Sequence, residues 1–478
     1  MVAIMYAGVM IVLAFYGANL LWMSIMVVRS EHSDSRSDSS SHFQRPDRWP
    51  KVTIQIPIFN ESSVAQRVID ACASIIYPRD QLQIQVLDDS TDETIEMTRQ
   101  SVENWKHRGI NISHIHRTDR TGYKAGALAH GLQSATGELI AMFDADFIPP
   151  EDFLLSLIPQ VDDPNLGMVQ VRWSHINAQA SLLTQIQAWS LDMHFAIEHV
   201  ARSVTGCFIN FNGTAGLWRR RCIEDSGGWQ QDTLTEDLDL SYRAQIKGWT
   251  LKYIHDMEAP AELPETLGSL RIQQTRWTKG TAETARKLLQ PLWSAPVSLL
   301  TKMQGTIHLT SHLVYPSLVL AALLHPLLLF QQANGFGPGE VYFGMMGIGL
   351  IGLLGFFLAQ LLAQQQLYPH WHRRVCLFPI LLAGSMGLAI SNTKAVIDGW
   401  RKARTPFERT PKAKGIYVAK TSPIIVILET FLAVYSLMGL SYLIWEGIWT
   451  AVAFQLIFFM SYLFVTWYNI LEAPPEPT

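Results

Sequence analysis

The chain has 478 residues, 48% of them apolar and 16% charged, against about a quarter charged in a soluble globular protein, so part of it is expected to lie in lipid. Its 37 basic and 41 acidic residues leave a net charge of -4, which excludes the basic footprint that nucleic-acid binding needs. Four cysteines, Cys72, Cys207, Cys222 and Cys376, form no CxxC pair, so neither a cysteine-built zinc site nor a disulfide framework is indicated and a reducing compartment fits.

Residues 4–28 form an uncharged apolar run longer than the roughly 20 helical residues that a bilayer core needs, which predicts a transmembrane helix over 1–28. Residues 29–50 are rich in serine and charge and read as a flexible linker. From 51 to 266, short β-rich runs such as 52–57 and 84–87 alternate with longer amphipathic stretches, the pattern of an α/β domain. Residues 267–300, holding Gln273 and Trp277, are predicted to be an amphipathic interfacial element.

Two further spans are expected within 301–375 and two within 423–470, followed by a short tail, 471–478. Between them, the apolar stretch from Cys376 ends near Ile390 and gives way to Ser391, Asn392, Thr393 and Lys394. Arg373 and Arg374 precede it, and Arg401, Lys402, Arg404 and several more basic residues follow, so both flanks prefer the cytoplasmic side. Residues 376–422 are therefore predicted to be an interfacial or re-entrant helix and a loop, leaving five true spans and a cytoplasmic catalytic domain; the alternative is a full crossing. The absence of a visible internal repeat argues against most secondary transporters.

Two acidic clusters end strand-like runs: Asp88 and Asp89 after Val86-Leu87, and Asp144 and Asp146 after Ala141-Met142-Phe143. In an open α/β sheet, ligands bind beyond the carboxyl ends of the strands. Alternate carboxylates suit a hard divalent cation, Mg2+ or Mn2+, carrying a diphosphate on its other side. Singly, each cluster has an ordinary use. Asp88 and Asp89 could cap a helix, Glu236 and Asp237 could complement a helix dipole, and Arg276 with Trp277 suits a membrane surface.

Their order is less easily accidental. With Pro57-Ile58-Phe59-Asn60-Glu61 ahead, Gly122-Tyr123-Lys124-Ala125-Gly126 between, and Thr235-Glu236-Asp237 and Gln273-Gln274-Thr275-Arg276-Trp277 behind, the chain resembles the membrane-embedded branch of family 2 of the inverting nucleotide-sugar glycosyltransferases. The strings VLDDS, GYKAG, FDADF, FNGTAGLWR, EDSGGW and LPE are similar to those of plant cellulose synthase-like proteins of the mannan and glucan synthase type. The resemblance covers about 52–279. A second one is local: Phe407-Glu408-Arg409-Thr410-Pro411-Lys412 resembles the FxVTxK gating loop of bacterial cellulose synthase, with Arg409 at the valine position.

This resemblance implies a GT-A-like, Rossmann-like catalytic domain plus an α-helical transmembrane module. It implies transfer of a hexose from UDP-glucose or GDP-mannose to a growing β-glycan by metal-assisted single displacement. Asp237 would be the general base. Asp144 and Asp146 would hold the metal; Lys124 and Arg276 would add positive charge at the diphosphate; Asp88 and Asp89 would contact the nucleotide. Gly213, Thr214, Glu236, Gln273 and Trp277 would receive the acceptor, the tryptophan as a stacking floor. Phe407, Thr410 and Lys412 would form the gating loop.

Two other functions remain open: a single-addition glycolipid glycosyltransferase resembling ceramide or diacylglycerol glucosyltransferases, and a catalytically silent receptor for nucleotide sugars. His194, Glu198 and His199 lack the HExxH zinc spacing and read as a polar helix face. His308, His312 and His325 suit hydrogen bonding between helices or a polar path for a chain.

Overall fold

The computed structural model describes residues 1–34, 48–403, 410 and 421–472. Seven strands make one mixed sheet: β1 Val52–Ile58, β2 Leu82–Asp88, β3 Ile112–His116, β4 Leu139–Met142, β5 Leu166–His175, β6 Gly216–Arg219 and β7 Thr250–Ala261. Their order across the sheet is β3-β2-β1-β4-β6-β5-β7. β1 pairs in parallel with both β2 and β4, β6 is antiparallel to its two neighbours, and β5 and β7 run parallel.

All seven residues of β1 are buried, as expected for a central parallel strand covered by helices on both faces. Its two buried polar side chains bond across the sheet, the Thr53 hydroxyl to Gln83 at 2.9 Å and the Gln55 Nε2 to Gln85 at 3.0 Å. Strand order reverses at β1, with β2 and β3 on one side and β4 on the other. The crevice beyond the carboxyl ends of β1 and β4 is therefore the place where a doubly wound sheet receives a ligand.

Among the described residues, five helical stretches are long and apolar enough to cross a bilayer: Val2–Ser30, Leu299–Ala333, Val341–Leu367, Pro423–Trp445 and Trp449–Leu471. Gly17 meets Gly352 and Gly355 backbone to backbone, because small residues let two apolar helices approach closely. The weaker stretch is built as Trp371–Gly387 and Ala389–Trp400, bent by 40°, a geometry open to a broken span or to a re-entrant segment.

Helix Leu267–Ser294 is 28 residues long and is buried along much of its length rather than laid on a surface. Its first amides, on Leu267 and Gly268, donate to the Glu472 carboxylate at 2.6 and 3.2 Å. Arg271 pairs with the fully buried Glu429 at 3.0 Å. Gly280 lets the helix press on Thr235, and Gly399 of the bent segment presses on Lys279 and Ala282. One helix thus joins the sheet domain to the apolar helices.

Candidate active site

Seven separated motif stretches, the Pro57–Glu61 string among them, line one cavity of about 170 Å3 at the carboxyl edge of β1, β2 and β4. Asp144 and Asp146 follow β4, Glu236 and Asp237 open helix Glu236–Ile246, and Gln273, Arg276 and Trp277 come from helix Leu267–Ser294. Lys124 and Gly213 complete the floor, and Asp89 lies toward the β2 end. Three of the four described non-glycine residues with positive φ, Asn60, Tyr123 and Ala215, sit beside this cavity, where backbone strain commonly collects.

Lys124 is the hub. Its Nζ lies 2.5 Å from Asp144 Oδ1 and 3.9 Å from Glu236, and it donates to the Gly213 carbonyl at 2.9 Å. Burial disfavours its charge, but Asp144 and Glu236 reverse that and hold its pKa above the usual lysine value. Asp237 is pushed up to about 7, first by burial and then by the Glu236 charge, against the pull of Lys124. A carboxylate poised there is suited to take a proton near neutral pH. Its Oδ1 accepts from the Leu238 amide at 2.8 Å, which fixes the side chain at the helix start.

Two residues expected to touch ligand line neither cavity described here. Thr214 is buried, and its hydroxyl accepts from the Asp144 amide at 2.9 Å, so it braces the loop that carries Asp144. Asp88 is fully buried, with its carboxylate on the Ser90 amide at 2.9 Å and on His114 Nε2 at 2.8 Å. Burial alone would raise its pKa; the His114 and Ser90 hydrogen bonds hold it below the usual aspartate value. Asp89, by contrast, reaches the cavity, gripped by both arms of Arg117 at 2.8 and 2.5 Å.

Thr410 is buried and lines the same cavity. Phe407 and Lys412 lie outside the described residues.

A second cavity, of about 360 Å3, opens on the other side of Asp237. The two share Trp173, Leu191, Asn212, Thr235, Asp237, Gln273 and Trp277. The second runs down to His308, Ser311 and Tyr315 on one apolar helix and to Ser385 and Asn392 on the bent segment. His194 and Glu198 line it too, so the polar helix face read from their spacing faces this cavity. They belong to a π-helical turn, His194–His199, in which His194 meets Glu198 at 2.9 Å, His199 at 3.1 Å and Asn212 at 3.2 Å. Burial would neutralise Glu198, but Arg202 and His194 bring its pKa down to about 2.

Sequence reasoning passed over Arg117, over Arg120, whose guanidinium lies 3.2 Å from the Phe59 ring centroid in the cavity wall, and over Gln170. The Gln170 amide accepts from the Asn212 amide at 3.0 Å and donates to the Thr214 and Ala215 carbonyls at 3.2 and 3.1 Å, bracing the loop that carries Gly213. Of these, only the arginines, close to the GYKAG string, left any signal.

A buried carboxylate of raised pKa in a cavity with paired aspartates, a lysine and an arginine, on this mixed sheet, is the arrangement of an inverting GT-A-like glycosyltransferase domain. Residues 50–280 match the family described as glycosyltransferase like family 2, and this part of the chain belongs to it. Glucomannan 4-beta-mannosyltransferase 1 of Oryza sativa subsp. japonica is 45% identical over 249 residues, 51% of this chain and 48% of that protein. Glucomannan 4-beta-mannosyltransferase 2 of Arabidopsis thaliana is 42% identical over 266 residues, 55% of this chain and 48% of that protein. The chain spans about half the length of these curated relatives. Among solved structures, a mannosyltransferase, PcManGT from Pyrobaculum calidifontis in complex with GDP-Man and Mn2+, superposes with a TM-score of 0.56 at 19% identity, over 84% of this chain and all of that one. The likeness extends the shared fold beyond the sheet domain to the apolar helices.

Proposed function

We propose that the chain transfers a mannosyl residue from GDP-mannose to the end of a growing β-glycan, with the catalytic domain on the cytoplasmic face of a membrane. The observation that carries this reading is the meeting of two cavities at the Asp237 carboxylate, one cationic and acidic, the other polar and aromatic. The names of the similar plant proteins favour mannose over the glucose of UDP-glucose.

The acceptor hydroxyl gives its proton to Asp237 as its oxygen attacks the anomeric carbon. The bond from that carbon to the diphosphate breaks, the electron pair leaves with the nucleotide, and an α-linked donor yields a β-linked product. Lys124 and Arg276 stabilise the departing diphosphate, while Trp277 stacks on the terminal sugar. Asp144 and Asp146 offer hard oxygen donors beside Lys124, a set that fits Mg2+ or Mn2+. When bound there, the cation supplies Lewis-acid stabilisation of the diphosphate charge.

The second cavity favours a glycan over a lipid acceptor. Gln187, His194, Glu198, Asn210 and Asn392 place polar groups on its wall, and Gln187 Oε1, Asn210 Oδ1 and Asn392 Oδ1 have no partner among the described residues, a lining that suits sugar hydroxyls better than acyl chains. Both ends of the bent segment hold to the catalytic side: Arg374 lies 3.8 Å from Asp192, and Lys279 donates to the Ala403 carbonyl at 2.6 Å. That arrangement supports an interfacial segment and five spans.

The test is the full chain, purified in detergent with Mn2+ and labelled GDP-mannose or UDP-glucose, with and without lipid acceptors. An insoluble product released by a β-mannanase is expected. Label entering a chloroform phase would replace this reading with glycolipid synthesis, and donor binding without turnover would reduce the protein to a receptor.

A further inference from the structure

Two histidines, His114 and His116, have no part in the chemistry above, yet they stand beside the buried Asp88. They occupy alternate positions on β3, so both side chains leave the same face of the sheet. Register places Asp88, the last residue of β2, directly opposite His116. The result is a histidine-x-histidine pair facing a carboxylate across two parallel strands. Asp88 Oδ2 lies 2.8 Å from His114 Nε2 and 3.7 Å from His116 Nδ1, and one ligand atom from each of the three falls within 4.8 Å of the others.

We propose that Asp88, His114 and His116 form a second metal site, separate from the Asp144 and Asp146 pair, that takes a borderline divalent cation of the zinc type. Two ligands on a tetrahedral zinc with bonds near 2.1 Å stand about 3.4 Å apart, and the two Asp88 separations fall on either side of that value. Small side-chain shifts close the triangle. Two imidazoles and one carboxylate leave a fourth position for water, reached past His116, which is about a third exposed.

The two sites sort cations by chemistry. The Asp144 and Asp146 set is all oxygen and suits Mg2+ or Mn2+, while imidazole nitrogen favours Zn2+, Co2+ and Ni2+. The ion ties the ends of β2 and β3 together at the rim of the donor cavity. The Arg117 amide donates to the Asp88 carbonyl at 2.9 Å and its guanidinium grips Asp89, so the clamp holds the residue that lines the cavity.

The site is tested on the full chain, without a polyhistidine tag, carrying Asp144→Asn and Asp146→Asn to silence the other metal-binding pair. After dialysis against Zn2+, one ion per chain is expected, together with a higher melting temperature than in EDTA. Adding His114→Gln and His116→Gln is expected to bring the stoichiometry from one to zero and to erase that rise, with the EDTA melting curve retained as the control for folding. His116→Asn alone, at the more exposed position, provides the same comparison if the double histidine change does not fold. Zinc held equally without the histidines, or lost with Asp144→Asn and Asp146→Asn alone, overturns the proposal.

Discussion

A methyl group on Gly213 would stand 2.9 Å from Asp237 Oδ2 and 3.2 Å from Lys124 Nζ. The residue also has φ +84°, a conformation that a side chain resists. Its absent side chain is what lets the backbone sit between the base and the cation. Gly213→Ala is therefore expected to lower turnover by about 100-fold, the size of effect that a misplacement near 1 Å produces. The loop is braced by Gln170, so the fold is expected to survive, and an unchanged melting temperature with unchanged turnover would contradict this role.

Asp237→Asn keeps the shape of the side chain and removes the proton acceptor. Transfer is expected to fall by roughly 10²- to 10⁴-fold while donor affinity holds. Asp144→Asn is expected to act the other way, weakening Mn2+-dependent donor binding. Steady-state rates together with donor binding by calorimetry separate the two, and equal loss of binding and turnover in Asp237→Asn would remove it from the role of base.

The acidic limb of kcat/KM is expected near the value of about 7 to which Asp237 is raised. Glu236→Gln deletes a charge that raises it and moves the limb to lower pH; Lys124→Met deletes one that lowers it and moves the limb to higher pH. Stability follows the same proton. The folded carboxyl binds it more tightly than the unfolded one, so this contribution is full below the ordinary value of 3.8 and is lost as pH rises through about 7. A pH-rate profile for each variant checks the first statement, and thermal melts of wild type and Asp237→Asn between about pH 4 and 8 the second, a window that spans most of the rise from 3.8 to about 7.

What the sequence disclosed and what it hid divide along physical lines. Asp144, Asp146 and Asp237 were legible because each sits where an apolar run ends or a helix begins, and such ends gather at one edge of an α/β sheet. The choice between Asp88 and Asp89 was not, because neighbouring strand residues face opposite ways and only the register with β3 settles which one reaches the cavity. The partner of the Thr214 hydroxyl, the Asp144 amide, was hidden for a related reason: its string marks a tight loop, not the direction of its hydroxyl. The direct contact of His194 with His199, though both read as one polar face, depends on a π-helical turn, whose wider spacing brings residues five apart together, where a period of 3.6 separates them.

The joint between the two halves of the protein rests on Arg271 and Glu429, 3.0 Å apart with side chains 7% and 0% exposed. Asn469 adds a hydrogen bond of 2.9 Å to the same carboxylate. Breaking such a pair strands a charge in a medium that cannot solvate it, at a cost of about 3–5 kcal/mol. Glu429→Gln, which leaves Arg271 charged, is expected to lower the melting temperature in detergent markedly. Arg271→Met with Glu429→Leu removes both charges and is expected to recover most of that loss, since a packed apolar pair of similar volume is often no less stable. Because helix Leu267–Ser294 also carries Gln273, Arg276 and Trp277, the single change is expected to reduce turnover with the melting temperature and the double change to restore both. Recovery of stability without turnover would mean that the ion pair sets the position of the helix and not only its hold on the membrane helices.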